Sequence, residues 1–135
     1  MFALVRHAGY QHANGNITPE GTQAATFLAQ QLHALNIPWR EIRTSPSART
    51  RETGNIIGKI LELPIEVDER IGMVGNLIDL LPPTEQNNII FISHLPVLTK
   101  LLSAWSRVFQ QEEPPLTEIA SGYVVDPINK QIRRI

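Results

Sequence analysis

The chain has 135 residues, 42% hydrophobic and 19% charged, the proportions of one globular domain over residues 1–135 with a real core and no room for a second. Twelve Lys and Arg against thirteen Asp and Glu leave a net charge of −1, and a polyanion binder would carry a basic excess, so a nucleic-acid protein is disfavoured. There is no cysteine, which excludes disulfides, thiolate metal sites and cysteine nucleophiles and fits a reducing, cytoplasmic setting.

The opening Met-Phe-Ala-Leu-Val-Arg has neither the basic segment nor the apolar stretch of a signal peptide. Phe2-Ala3-Leu4-Val5 reads as a short buried strand that stops at Arg6-His7. Residues 8–17 are rich in glycine and asparagine and read as loop. Thr18-Pro19-Glu20 is a helix start, with Thr18 as the cap, and Ala25, Leu28, Leu32 and Leu35 mark one apolar face up to Asn36-Ile37-Pro38.

Glu41-Ile42-Arg43-Thr44 is a second, polar strand. Ser45-Pro46 is expected to open the next helix, with Thr53, Ile56, Ile57, Ile60 and Leu61 on its buried side. Pro64-Ile65-Glu66-Val67 is a third strand, residues 68–76 a loop, and Leu77 to Leu81 a modest helix broken by Pro82-Pro83. Asn88-Ile89-Ile90-Phe91-Ile92-Ser93 is a continuous apolar run, the pattern of a strand buried on both faces, and it too stops at a histidine, His94. It is typical of the chain's apolar runs, far below the roughly 20 residues of a membrane span. Pro96 starts a helix carrying Leu98, Leu101, Leu102 and Trp105; residues 110–117 are loop. Ile119 to Val125 and Gln131 to Ile135 form a hairpin around Pro127-Ile128-Asn129-Lys130. The sum is a three-layer α/β/α sandwich with a mostly parallel sheet and an antiparallel C-terminal edge hairpin.

In such a sheet, ligands bind beyond the carboxyl ends of the strands. Three of those ends carry reactive residues: Arg6-His7, Ser45-Pro46-Ser47-Ala48-Arg49 and Ser93-His94. If the strands are neighbours, two histidines and two arginines converge. Guanidiniums match a tetrahedral oxyanion. A neutral imidazole can attack phosphorus, and a second, protonated imidazole can stabilise charge on the transferring group. Nothing in this set calls for a metal or other cofactor.

These residues resemble the histidine phosphatase superfamily, the phosphoglycerate mutase-like fold. The family's Arg-His-Gly strand end is matched by Arg6-His7-Ala8, with Ala8 in place of glycine. Its Thr-Pro-Glu-Gly helix start is matched by Thr18-Pro19-Glu20-Gly21, and its Ser-Pro-x-x-Arg-x-x-x-Thr segment by Ser45 to Thr53. Ser93-His94-Leu95-Pro96 matches its second histidine. The short length, the stretch Ile92 to Leu98 and Leu116 to Ala120, similar to a strand before the hairpin, look most like the small bacterial phosphohistidine phosphatase branch.

The resemblance implies His7 as nucleophile, with Arg6, Arg49 and His94 holding the phosphoryl group. It implies further contacts from Asn14, Asn16 or Thr18, and Glu69 as the candidate general acid, with Asp79 a weaker one. His12 and His33 read as surface residues. Only 44 residues, positions 50 to 93, separate Arg49 from His94, which leaves little room for a capping segment and suits a phosphorylated protein substrate. A small phosphoester substrate, or a non-catalytic module that docks a phosphate, are the alternatives. Neither nucleic acid nor membrane is expected as a partner.

Overall fold

The computed structural model describes residues 1–72, 88–116 and 118–135. The expected helix at Leu77 to Leu81, its Pro82-Pro83 break and Asp79 lie outside the described residues. The elements, in chain order, are β1 (Phe2–Arg6), α1 (Pro19–Ala34), β2 (Glu41–Thr44), α2 (Ala48–Leu61), β3 (Ile65–Val67), a 3-10 turn (Glu69–Ile71), β4 (Ile89–Ser93), α3 (Leu95–Val108), β5 (Gly122–Asp126) and β6 (Gln131–Arg134). No helix among the described residues is long and apolar enough to cross a membrane.

The six strands form one sheet in the order β3-β2-β4-β1-β5-β6. β3, β2, β4 and β1 run parallel, while β5 and β6 are added antiparallel as the C-terminal hairpin. Side chains alternate across the sheet. Ala3, Val5, Ile42, Ile90 and Ile92 pack under Leu28, Ala29 and Leu32 of α1 and Ile57 of α2. Phe2, Leu4, Ile89, Phe91, Tyr123 and Val125 pack under Val97, Leu98, Leu101, Leu102 and Trp105 of α3. The apolar run in β4 is thus buried on both faces, and the three layers follow.

The second helix differs from expectation. Ser47, not Ser45, is its N-cap, accepting the Thr50 N–H. Its buried residues are Thr50, Thr53, Gly54, Ile57 and Gly58, whereas Ile60 is 42% exposed. The helix lies so close to β2 and β3 that a Cβ at Gly54 would come within 2.7 Å of the Thr44 methyl, and one at Gly58 within 2.7 Å of Ile65. Thr53 and Ile57 lie on the packed side as expected, and small residues rather than Ile60 complete it. The segment at Leu116 to Ala120 is also not a strand where it is described. Ala120 has φ of 49°, and its N–H donates to the His7 carbonyl while Ser121 accepts the Arg6 N–H, so residues 118–121 turn around the end of β1.

Candidate active site

The register of the sheet sets the site. Arg6 pairs with Ser93 between β1 and β4, and Thr44 pairs with Ile92 between β2 and β4. The next residues, His7, His94 and Ser45, therefore leave three adjacent strands side by side at their carboxyl ends. The His7 and His94 rings lie 5.5 Å apart, tilted by 60°.

His7 is 5% exposed, and its backbone is fixed on both sides: the N–H donates to Ser93 O at 3.2 Å and the carbonyl accepts from Ala120. Its Nδ1 is 2.9 Å from the Ala8 carbonyl. A carbonyl only accepts, so Nδ1 carries the hydrogen and Nε2 keeps the lone pair. Burial lowers the His7 pKa from its ordinary value; the bond to Ala8 opposes this, and the charges of Arg49 and Arg6 reinforce it. Ala8 is fully buried, and its N–H donates to Thr53 Oγ1 at 3.1 Å, whose hydroxyl donates to the Arg49 carbonyl at 2.7 Å. Thr53 of α2 thus locks the backbone that orients His7.

His94 is 4% exposed and occupies the N-cap position of α3 without a side-chain capping bond. Its Nε2 is 2.8 Å from Ser45 Oγ, and its buried Nδ1 has no hydrogen-bond partner among the described residues. Burial first, then the charges of Arg49 and His7, push its pKa down to about 4. His94 is thus neutral at pH 7, where the sequence reading placed a protonated imidazole; a bound dianion would supply the charge that favours protonation.

Arg49 stands in the first turn of α2, its guanidinium carbon 4.6 Å from the centre of the Tyr10 ring. Tyr10 also meets His7 edge-on at 5.4 Å and His12 at 5.0 Å, so exposed His12 stands over the residue that borders the pair. The loop carrying them closes by a Tyr10–Ile17 bridge, and the Ile17 N–H donates to Glu52 of α2 at 2.6 Å. Gly21 admits the loop: a Cβ there would strike the Gly9 carbonyl. Two neutral imidazoles with arginines beside them are groups able to attack phosphorus and to hold an anion.

Other expected residues are engaged elsewhere. Asn14 is exposed, donating to Gln11 at 3.3 Å and accepting from the Asn16 N–H at 2.9 Å, which closes the loop tip. Thr18 caps α1: its hydroxyl accepts the Gly21 N–H at 3.0 Å and donates to Gly9 O at 3.4 Å. Exposed Glu69 lines a recess at the β3 edge with Arg43, Asp68 and Arg70. Asp68 pairs with Arg70 at 2.7 Å and Arg43 at 3.4 Å; burial opposes its ionisation, but the Arg70 and Arg43 bonds outweigh it and hold its pKa low. His33 is exposed near the end of α1. Sequence reasoning did not single out Tyr10, Glu52 or Thr50; Ser45 and Thr50 entered only as parts of a motif. Among the described residues there is no cluster of three or more His, Cys, Asp or Glu able to hold a metal ion.

Known structures share this architecture. The protein histidine phosphatase SixA complexed with tungstate superposes with a TM-score of 0.74 at 20% identity, covering 99% of this chain and 93% of its own. The protein assigned as the phosphohistidine phosphatase SixA of Agrobacterium tumefaciens gives 0.70 at 18% identity, covering 99% and 94%. A phosphoglycerate mutase from Plasmodium falciparum gives 0.63 at 21%, covering 99% and 87%. No curated protein matches the chain significantly by sequence. The family model of the histidine phosphatase superfamily (branch 1) matches residues 3–72, more than half the chain and the span from β1 through the 3-10 turn that carries Arg6, His7 and Arg49. The chain belongs to the histidine phosphatase superfamily and is a phosphatase.

Proposed function

We propose that this enzyme hydrolyses phosphohistidine on a signalling protein, without a metal ion, through a phosphoenzyme intermediate on His7. The observation that carries the reading is the Nδ1–Ala8 bond, which leaves the Nε2 lone pair of a neutral, buried imidazole as the nucleophile. Nε2 attacks phosphorus in line, and the bond to the leaving group breaks. Arg6, Arg49 and His94 hold the transferring oxygens and offset their charge. Water then attacks the phosphorus, the P–N bond breaks, its electron pair returns to Nε2, and inorganic phosphate leaves.

Two observations favour a phosphoramidate over an ester. Glu69 lines the β3 edge with Arg43 and Arg70. An alkoxide leaving group needs a strong acid, whereas a phosphohistidine whose distal nitrogen is protonated leaves as neutral imidazole, a group with pKa of about 6.5. The likeness in fold to proteins named as phosphohistidine phosphatases points the same way.

The test assays wild type and His7→Ala against p-nitrophenyl phosphate and a phosphohistidine protein, with and without EDTA. Wild type turns over both through a labile phosphoenzyme, EDTA changes nothing, and His7→Ala is inactive. Faster turnover of a small phosphoester than of any phosphohistidine protein would make this a phosphomonoesterase. Loss of activity in EDTA would overturn the histidine mechanism, and tight phosphate binding without turnover would leave only a docking module.

A further inference from the structure

The hydroxyl cluster behind His94 is more than a helix cap. Ser45 is fully buried, and its Oγ lies 2.8 Å from His94 Nε2 and 2.7 Å from Thr50 Oγ1. Thr50, also fully buried, lies 2.9 Å from the Ser45 carbonyl and 3.0 Å from the Ser47 carbonyl. Each hydroxyl has one hydrogen, and a carbonyl has none. If Thr50 donates to the Ser45 carbonyl, the short Ser45–Thr50 contact takes its hydrogen from Ser45. The hydrogen between Ser45 and His94 then comes from the imidazole. The opposite assignment has Ser45 donating to Nε2 and Thr50 donating to Ser45. It leaves Thr50 against two carbonyl oxygens with no hydrogen between them. Ser47 Oγ lies 2.9 Å from Thr50 Oγ1 and farther from Ser45 Oγ and His94 Nε2, at 3.3 and 3.5 Å, so as donor over its shortest contact it fits the first arrangement too.

From this count, resting on the phosphoryl-transfer reading above, we infer that Ser45, backed by Thr50, is a positioning residue. It fixes His94 as the Nε2–H tautomer, so that Nδ1 is the nitrogen that gains a proton when a phosphoryl group occupies the site. The chain Nε2–H to Ser45, Ser45 to Thr50, Thr50 to backbone carbonyl runs one way and ends on an acceptor. It serves neutral imidazole and imidazolium alike, so His94 changes charge with no rearrangement behind it. Of the two His94 ring nitrogens, Nδ1 is the buried one without a hydrogen-bond partner among the described residues. The groups that bear on His94 are Arg49 of α2 and His7 at the end of β1, and both disfavour a proton there until an anion enters. Binding a phosphate dianion is thereby coupled to taking up one proton at Nδ1.

The experiment is nitrogen-15 NMR of histidine-labelled full-length protein, with the His94 signals assigned by His94→Asn, beside steady-state kinetics on p-nitrophenyl phosphate. In wild type at pH 7 without phosphate, His94 shows a protonated Nε2 and a bare Nδ1; saturating inorganic phosphate protonates both. Ser45→Ala mixes the tautomers and lowers kcat roughly tenfold with KM within about twofold, because one aligned hydrogen bond is lost in the transition state. Ser45→Thr keeps the hydroxyl and restores both readouts. A wild-type His94 protonated at Nδ1 and bare at Nε2, or a Ser45→Ala enzyme with unchanged tautomer and rate, would overturn the assignment. The tautomer is read on wild type, so a misfolded variant does not blunt the test. Turnover surviving in His7→Ala would sink the phosphatase mechanism while leaving the tautomer result standing.

Discussion

The ends of β1 and β4 carry the same side chain in the same kind of place, yet prepare it in opposite ways. Each strand stops at a histidine no more than 5% exposed, and the two rings are 5.5 Å apart. At β1 the Nδ1 of His7 is tied to a backbone carbonyl. At β4 it is the Nε2 of His94 that is tied, to a serine hydroxyl. A carbonyl can only accept, so His7 is fixed by a partner with no choice; a hydroxyl can do either, so His94 depends on what stands behind it. On the proposed mechanism one ring presents Nε2 to phosphorus and the other presents Nδ1 to charge.

Exchanging the two roles is the sharpest way to break the contrast. His7→Ala removes the nucleophile, and kcat falls by about 10³-fold or more with no phosphoenzyme. His94→Asn keeps the nucleophile and removes one charge-stabilising donor, so the loss is about 10²-fold and a phosphoenzyme still forms. Rapid-quench trapping of labelled protein separates them. Equal loss of the intermediate in both variants would show that the histidines are not specialised.

The support of His7 can be tested without touching either ring. Thr53→Val keeps the shape of the side chain but strips the acceptor from the buried Ala8 N–H, 3.1 Å away. An unsatisfied buried donor costs about 1–3 kcal/mol, read from urea unfolding. The same variant loosens the carbonyl that holds His7 Nδ1, so kcat falls with it. Unfolding without change in stability would mean that Ala8 finds another acceptor.

Acid acts on both strand ends together. Both histidine pKa values are lowered in the folded protein. As pH falls below about 6.5 the unfolded chain takes up protons that the native state refuses, and stability declines toward pH 4. Melting temperature should fall through that window, less steeply in His94→Asn. The acid limb of kcat/KM, which reports free His7, lies below pH 6.5 for the same reason. A melting temperature flat from pH 7 to 4.5 would contradict the burial of the pair.

The readable and unreadable parts of this site divide along physical lines. Phe2 to Val5 and Ile89 to Ile92 are apolar runs cut off at histidines, so strand ends and their reactive residues could be seen in the chain. The ring separation depends on β1 and β4 being neighbours in register, with Arg6 opposite Ser93, which pairing alone reveals. On α2 the expected Thr53 and Ile57 are buried, but Gly54 and Gly58 also meet β2 and β3 while Ile60 faces outward, because close approach to the strands admits only small residues there. Ser45 and Thr50 were hidden for another reason. A serine just before a helix reads as a cap and a threonine in its first turn as part of the helix, and only geometry shows Ser45 turned toward an imidazole 49 positions away. Asn14 and Thr18, which the resemblance offered as phosphate contacts, make their hydrogen bonds within the loop tip and at the start of α1.

The smallest expected effect concerns Glu69, the carboxylate that position along the chain suggested as general acid. It sits in the Glu69–Ile71 turn, exposed, beside a recess shared with Arg43 and Arg70. That turn touches the site through its backbone: the Ile71 carbonyl accepts the Ser93 hydroxyl at 2.5 Å, one residue before His94. The Glu69 side chain is dispensable to that contact. Glu69→Gln should therefore leave kcat/KM within about twofold on both p-nitrophenyl phosphate and a phosphohistidine protein, since substitutions on an exposed surface change little. A large loss on both substrates would place a strong acid at Glu69 and remove the leaving-group argument for phosphohistidine. A loss on the ester alone would keep that argument and show that Glu69 serves only leaving groups that need a proton.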